Sequence, residues 1–188
     1  MKNPMILKAI KVPIVVLGFL TLLGCPSPDP TLYCRGSVDF SQVPELFEIE
    51  IAWNTLAVQM DGKPLGPNPP NGHGVLLDPT WLELPIQENS TLFKRSNSKH
   101  HILYRAPVAL RSIGRVWAQA LSVTGRLASG KEVVVHSILE PITAHFPLRA
   151  KQTTTLDIEL VVVRNLGKQK GSYSLYTKSA YWLEGLSP

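Results

Sequence analysis

The chain is 188 residues long, with 44% hydrophobic and 18% charged residues and a formal net charge of +5. That length suits one domain with its own core. Two cysteines with no zinc-site spacing exclude a disulfide-stapled framework and a cysteine-built metal site.

The amino-terminal segment reads as an export signal. Lys2, Lys8 and Lys11 precede an apolar run from Val12 to Leu23, which ends in Gly24 and Cys25. A positive leader, a short apolar segment and a small residue before the cut describe a secretory signal. The stretch Leu22-Leu23-Gly24-Cys25 resembles the signal of bacterial lipoproteins. The resemblance implies a helical signal peptide over residues 1–24, cleavage before Cys25, a diacylglycerol on the Cys25 thiol and an acylated new amino end. An uncut spanning helix would need about 20 apolar residues to cross roughly 30 Å of hydrocarbon. Lys11, Pro13 and Pro26 leave too short a run for that. Two or more acyl chains hold a protein firmly, at about 0.8 kcal/mol per buried methylene. The resemblance therefore implies an extracytoplasmic protein of the cell envelope, anchored to the membrane through Cys25. Pro26 stands where an Asp would resemble an inner-membrane retention signal, which favours the outer membrane in a cell with two.

Loss of the three leader lysines leaves sixteen basic against fourteen acidic residues, so the mature chain carries only +2. Export and that small charge argue against nucleic-acid binding. Residues 25–100 carry net −4 and residues 101–188 net +6. The basic half could face anionic lipid head groups or cell-wall polymers. Cys34 is then the one thiol left, and a buried, inert cysteine in a strand is the expectation.

Along the mature chain, Pro26, Pro28 and Pro30 make residues 25–31 a stiff tether, and a single domain is expected over 32–188. Tyr33 to Val38 reads as a first short strand, and Pro44 breaks the pattern after it. Phe47, Ile49, Ile51 and Trp53 alternate with Glu48 and Glu50, predicting a half-buried strand with the first set inward. Leu56, Val58 and Met60 continue it to an Asp61-Gly62 turn. The stretch from Pro64 to Gly74, rich in proline and glycine, is a surface loop. Val75 to Ile86 carries Pro79 and Pro85, so any strand there is short or on an edge. Glu88 to Lys99 is polar and reads as a loop. His100 to Val108 and residues 116–124 read as strands. Ala128-Ser129-Gly130-Lys131 turns the chain into Glu132 to Ile138, making a hairpin. From Thr153 to Arg164, Leu156, Ile158, Leu160 and Val162 face in while Thr155, Asp157 and Glu159 face out. After a loop over residues 165–171, a last strand runs from about Ser172 to Leu183, carrying Tyr173, Leu175 and Tyr181.

Eight or nine short strands without a helical period predict an all-β fold: an antiparallel β-sandwich, immunoglobulin-like or transthyretin-like. A closed barrel is the alternative.

Candidate chemistry is sparse. Gly125 to Glu132 matches Gly-x4-Gly-Lys, but Glu132 replaces the metal-binding Ser or Thr and opens a valine-rich strand instead of a helix. An ordinary hairpin turn fits better. His73, His100, His101, His136 and His145 show no ligand spacing, so neither a metal nor another cofactor is expected, and His100 and His101 would point to opposite faces of a strand. Glu48, Glu50, Asp157 and Glu159 alternate on faces that solvent would meet, not in a cleft for paired acids. Trp53, Trp81, Trp117 and Trp182 could stack on sugars, with Trp81 the exposed member, although Trp53 reads as core.

Ser37-Val38-Asp39, Pro44, the strand from Phe47 to Gly62, Gly130-Lys131, Phe146 and Thr154-Thr155-Leu156-Asp157 come in an order that resembles an uncharacterised family of bacterial lipoprotein β-sandwich domains. The family's Asp-Ala-Pro turn is absent, and the resemblance brings no catalytic residues. It supports a non-enzymatic reading without naming a ligand. Long irregular loops on a rigid sandwich are the usual place for recognition, so the expectation is a non-catalytic binding or structural module that takes an envelope protein or polymer through loops such as Pro64 to Gly74 and Glu88 to Lys99. An envelope hydrolase or metal enzyme using fold-assembled histidines, or a small-ligand carrier with an apolar barrel cavity, are the alternatives.

Overall fold

A computed structural model describes residues 29–60, 81–97, 99–165 and 172–184. The expected signal peptide, Cys25, most of the expected tether, the expected Asp61-Gly62 turn and Pro64 to Gly74 loop, His73 and most of the expected 165–171 loop lie outside the described residues.

The described residues are all-β. They form ten strands: β1 (Thr31–Asp39), β2 (Leu46–Gln59), β3 (Trp81–Leu84), β4 (Ser90–Lys94), β5 (His101–Pro107), β6 (Ser112–Leu127), β7 (Glu132–Ile138), β8 (Ile142–Pro147), β9 (Thr153–Arg164) and β10 (Tyr173–Glu184). One hydrogen-bonded path runs β3-β2-β6-β7-β10-β9-β1-β5, with β4 beside β2 and β8 beside β6. Its two ends come back together. The Gln87 N–H donates to the Leu103 carbonyl at 3.0 Å, and the Phe93 ring meets His101 edge-on at 4.8 Å. The result is a mixed, nearly closed, barrel-like sheet, and the expected two-sheet sandwich is not established by it.

The expectation of purely antiparallel pairing is corrected at two places. β1 runs parallel to β9 over nine residue pairs, and β7 runs parallel to β10. Alternation in a sequence says which face a side chain takes, but not which strand lies alongside or in which direction. One further strand lies outside the sequence expectation, and another comes only with the family resemblance at Phe146. β4 occupies the polar stretch read as a loop, because Thr91 and Phe93 turn inward while Leu92 and Lys94 face out. β8 carries Phe146 into the core.

The interior is filled by side chains. Leu32, Ile49, Ile51, Leu56, Ile113, Leu156, Leu160 and Leu175 are almost fully buried, as is Cys34. Such filling is the rule for a small barrel. β6 and β7 form the expected hairpin, closed by Gly130 at φ +83°, a backbone setting that glycine takes without strain. Within β6, Gly125 lies where a Cβ would come within 2.9 Å of Leu46, so the strand approaches β2 closely there. This glycine sits inside a strand, which rules the stretch out as a phosphate loop.

Bulges reset the inward pattern of β2. Leu46 pairs with Leu127 and Glu48 with Arg126, which leaves Phe47 unpaired. One extra residue reverses the faces before it. Leu46 is therefore buried, Phe47 is 42% exposed, and Glu48 is nearly covered beside Arg126 at 3.2 Å. The sequence expectation places Phe47 inward and Glu48 outward, and it fails at this bulge. Ile49, Ile51 and Trp53 face in as expected.

Candidate functional site

The parallel register of β1 on β9 decides what the outer face of the sheet looks like. It sets Arg35 beside Asp157 and Ser37 beside Glu159. On the other side of β9, antiparallel β10 sets Tyr181 beside Asp157 and Ser179 beside Glu159. The rows Arg35-Asp157-Tyr181 and Ser37-Glu159-Ser179 thus cross three strands. Tyr33 and Thr155 form the row before them.

Alternation alone turns Asp157 and Thr155 toward solvent, yet both are buried, Asp157 to 1% exposure. β9 is central, and long side chains from β1 and β10 lie across it. Arg35 grips the carboxylate with both arms: Nε donates to Oδ1 and Nη2 to Oδ2, each at 2.6 Å. Paired forks of this kind are the strongest class of protein hydrogen bond. The Asp157 hydrogen bond, joined by its charge, raises the Arg35 guanidinium above its ordinary value in spite of partial burial. The Arg35 and Arg105 guanidinium carbons also lie 5.8 and 5.7 Å from the Tyr33 ring centroid, within cation–π reach.

A bulge in β10 completes the network. Thr177 pairs with Leu160 and Ser179 with Glu159, leaving Lys178 as the extra residue. Its ammonium is thereby re-aimed and donates to Asp39 at 3.1 Å and Glu159 at 3.0 Å. The Ser179 hydroxyl donates to the other Glu159 oxygen at 2.9 Å. The Ser41 backbone N–H holds the Asp39 carboxyl below its usual range, aided by the Ser41 hydroxyl and Lys178. Burial, then the Asp157 and Glu159 charges, push the Tyr181 hydroxyl up.

Where β1 ends, these rows open into a cleft of about 450 Å³ lined by Ser37, Asp39, Ser41, Arg95, His100, Glu159 and Tyr181, with Val38 and Phe40. Arg95 fixes its rim by donating to the Phe40 carbonyl at 3.2 Å and to the Pro44 carbonyl. His100 Nε2 lies 3.9 Å from Asp157. Around the cleft, Arg35, Arg95 and Lys178 balance Asp39, Asp157 and Glu159. The lining has hydroxyls, donors and acceptors, and its one excess negative charge, from Asp39 and Glu159 against Arg95, is met by Lys178 beside it.

The other sequence candidates are not gathered here. His101 packs on Phe93, while His136 and His145 sit on exposed positions of β7 and β8. Among the described residues no three His, Cys, Asp or Glu side chains come together as a metal site would require. The sugar-stacking platform is corrected. Trp81 is 6% exposed and meets Trp117 edge-on at 6.5 Å in a small cluster with Ala57. Trp53 is core, its indole donating to Thr91, and Trp182 stacks on Phe146. Cys34 is buried in β1, and burial pushes its thiol well above the ordinary range. Sequence reasoning does not single out Arg35, Lys178 or Arg95. Their role comes from a register and a bulge that no local pattern announces.

Comparison with family models, curated proteins and solved structures finds no match.

Proposed function

We propose that the mature chain is a lipid-anchored, extracytoplasmic binding module, held to the envelope membrane through Cys25, with the cleft at the end of β1 as its recognition surface. The observation carrying this reading is the charge-balanced, interlocked lining. Each carboxylate is already engaged, Asp157 by Arg35 and Glu159 by Lys178 and Ser179. Such a surface has little long-range pull on an ion, and its fixed hydroxyls and carbonyls suit an uncharged, hydrogen-bonding stretch of an envelope polymer or protein. The finer architecture we infer is a flattened barrel whose halves face each other as sandwich sheets do.

The enzyme reading is weaker on the same grounds, because a general acid or base must exchange protons freely at working pH. The carrier reading is weakened by an interior filled with leucine, isoleucine and valine.

The experiment is capture of envelope components by the intact lipoprotein and by its S41W/Y181A variant. Loss of a polymer or protein when S41W fills the cleft and Y181A removes a lining hydroxyl supports the assignment. Identical recovery by both proteins refutes it. Globomycin-sensitive processing and an acylated Cys25 by mass spectrometry test the anchor separately.

A further inference from the structure

The end of the barrel opposite the recognition cleft is built from three segments. The Thr31 N–H donates to the Gln152 carbonyl at 2.9 Å, Val108 N–H to the Pro30 carbonyl at 2.9 Å, and Leu148 N–H to the Arg111 carbonyl at 2.7 Å. They enclose a second cleft of about 420 Å³ between Asp29, Pro30, Leu110, Arg111, Leu148 and Ala150. Its lining exposes polar and apolar surface in similar measure, with Asp29 and Arg111 the charged residues among it.

Arg111, Arg149 and Lys151 are all exposed on these segments. Arg149 shares Glu184 at 3.7 Å. Arg111 and Lys151 have no carboxylate partner among the described residues. This end therefore carries two cations without a carboxylate partner among the described residues, against Asp29 as the acid lining its cleft, whereas at the far cleft Asp39 and Glu159 share Lys178.

The chain arrives here. Asp29 lies four residues after Cys25, and four extended residues span at most about 14 Å. β1 then leads away from this end, its six steps from Thr31 covering about 20 Å before the recognition cleft begins at Ser37.

We infer that the tether end of the barrel docks on the anionic phospholipid surface in which Cys25 is anchored, Arg111 and Lys151 contacting headgroup phosphates at the second cleft, so that the recognition cleft points away from the bilayer. The inference rests on the lipid anchor proposed above. Acyl chains alone hold the protein near the membrane without setting its orientation. A short tether, a cleft where leucine, proline and alanine stand beside Arg111, and two exposed cations at one end do set it. Each cation near an anionic surface shifts the docked-to-free ratio about fivefold, so the pair contributes about 25-fold, screened by salt.

The test uses the full lipoprotein reconstituted in vesicles of phosphatidylcholine alone or with phosphatidylglycerol. Spin labels are placed at A150C near the tether and at S41C near the far cleft, Cys34 being buried. Access of a water-soluble relaxation agent to A150C is expected to fall in anionic vesicles only. It should recover in 0.5 M salt or in the R111E/K151E variant, while S41C stays accessible throughout. Equal access at A150C in both vesicle types, or unchanged docking by R111E/K151E, overturns the docking. Mass spectrometry of the same preparation separates the two readings: an unlipidated Cys25 overturns the anchor and the docking with it, whereas a lipidated protein indifferent to vesicle charge overturns the docking alone.

Discussion

Replacing Asp157 by Asn removes the charge that Arg35 grips while keeping the shape. Asp157 is 1% exposed, and the Arg35 side chain is 23% exposed. Removing one member of a fully buried pair costs about 3–5 kcal/mol, because the other charge is left desolvated. Arg35 keeps some water, so the expected loss is about 2–4 kcal/mol. With a urea slope of about 2 kcal/mol per molar, the unfolding midpoint of D157N should fall by about 1–2 M. Removing both charges is a different perturbation. R35M/D157L leaves no orphan ion, and its stability should return to within about 1 kcal/mol of wild type or exceed it. Urea titrations of D157N and of the cycle R35M, D157L and R35M/D157L, followed by tryptophan fluorescence, measure the coupling. A D157N midpoint within about 0.2 M of wild type, or a double variant as weak as the two single losses added, refutes the reasoning.

The bulge at Phe47 makes a second expectation, opposite to simple alternation. L46A should lose about 2–5 kcal/mol and F47A less than about 1 kcal/mol, and equal losses in denaturant would contradict the register. The carboxyl of Asp39, held by Ser41 and Lys178, and that of Glu45, held mainly by its own backbone N–H and also by Tyr173 and Arg164, both lie below their usual range. Depressed carboxyl values mean that the unfolded chain binds more protons in acid, so their contribution is present above about pH 4.5 and is lost as pH falls through the folded values. The urea midpoint should therefore drop below about pH 4, more gently in D39N; a midpoint that rises toward pH 3 would contradict this. At the alkaline end Tyr104, Tyr173 and Tyr181 are pushed up, mainly by burial, so their contribution is present below about pH 10 and is lost as pH rises through the folded values. Cys34 should resist a thiol reagent for hours in the native protein and react within minutes in guanidinium chloride. Fast native labelling would refute its burial.

Much of the fold is legible in period-two stretches. Thr153 to Arg164 is a strand with Leu156, Ile158, Leu160 and Val162 inward, and the Ala128 to Lys131 turn joins a hairpin, both as alternation and turn residues predict. Short β3 lies at the edge of the path, as its flanking prolines imply. β4 escapes because only Thr91 and Phe93 turn inward, too few positions for a pattern. The assembly of the cleft at the end of β1 is not legible, although Asp39, His100, Glu159 and Tyr181 stand out singly. Arg35 and Asp157 are 122 positions apart, and the Thr154-Thr155-Leu156-Asp157 motif does not announce the pairing.

What the amino-acid order determines alone is local: which residues alternate, where glycine and proline turn the chain, and hence that the body is all strand. What only the tertiary structure decides is who stands beside whom. The parallel run of β1 along β9 turns Asp157 from a solvent-facing acid into a buried, forked partner of Arg35, and one extra residue in β10 sends Lys178 between two carboxylates. The physical reason is that side-chain direction along a strand repeats every two residues and can be read from the chain, whereas partner, register and bulge depend on the packing of distant segments.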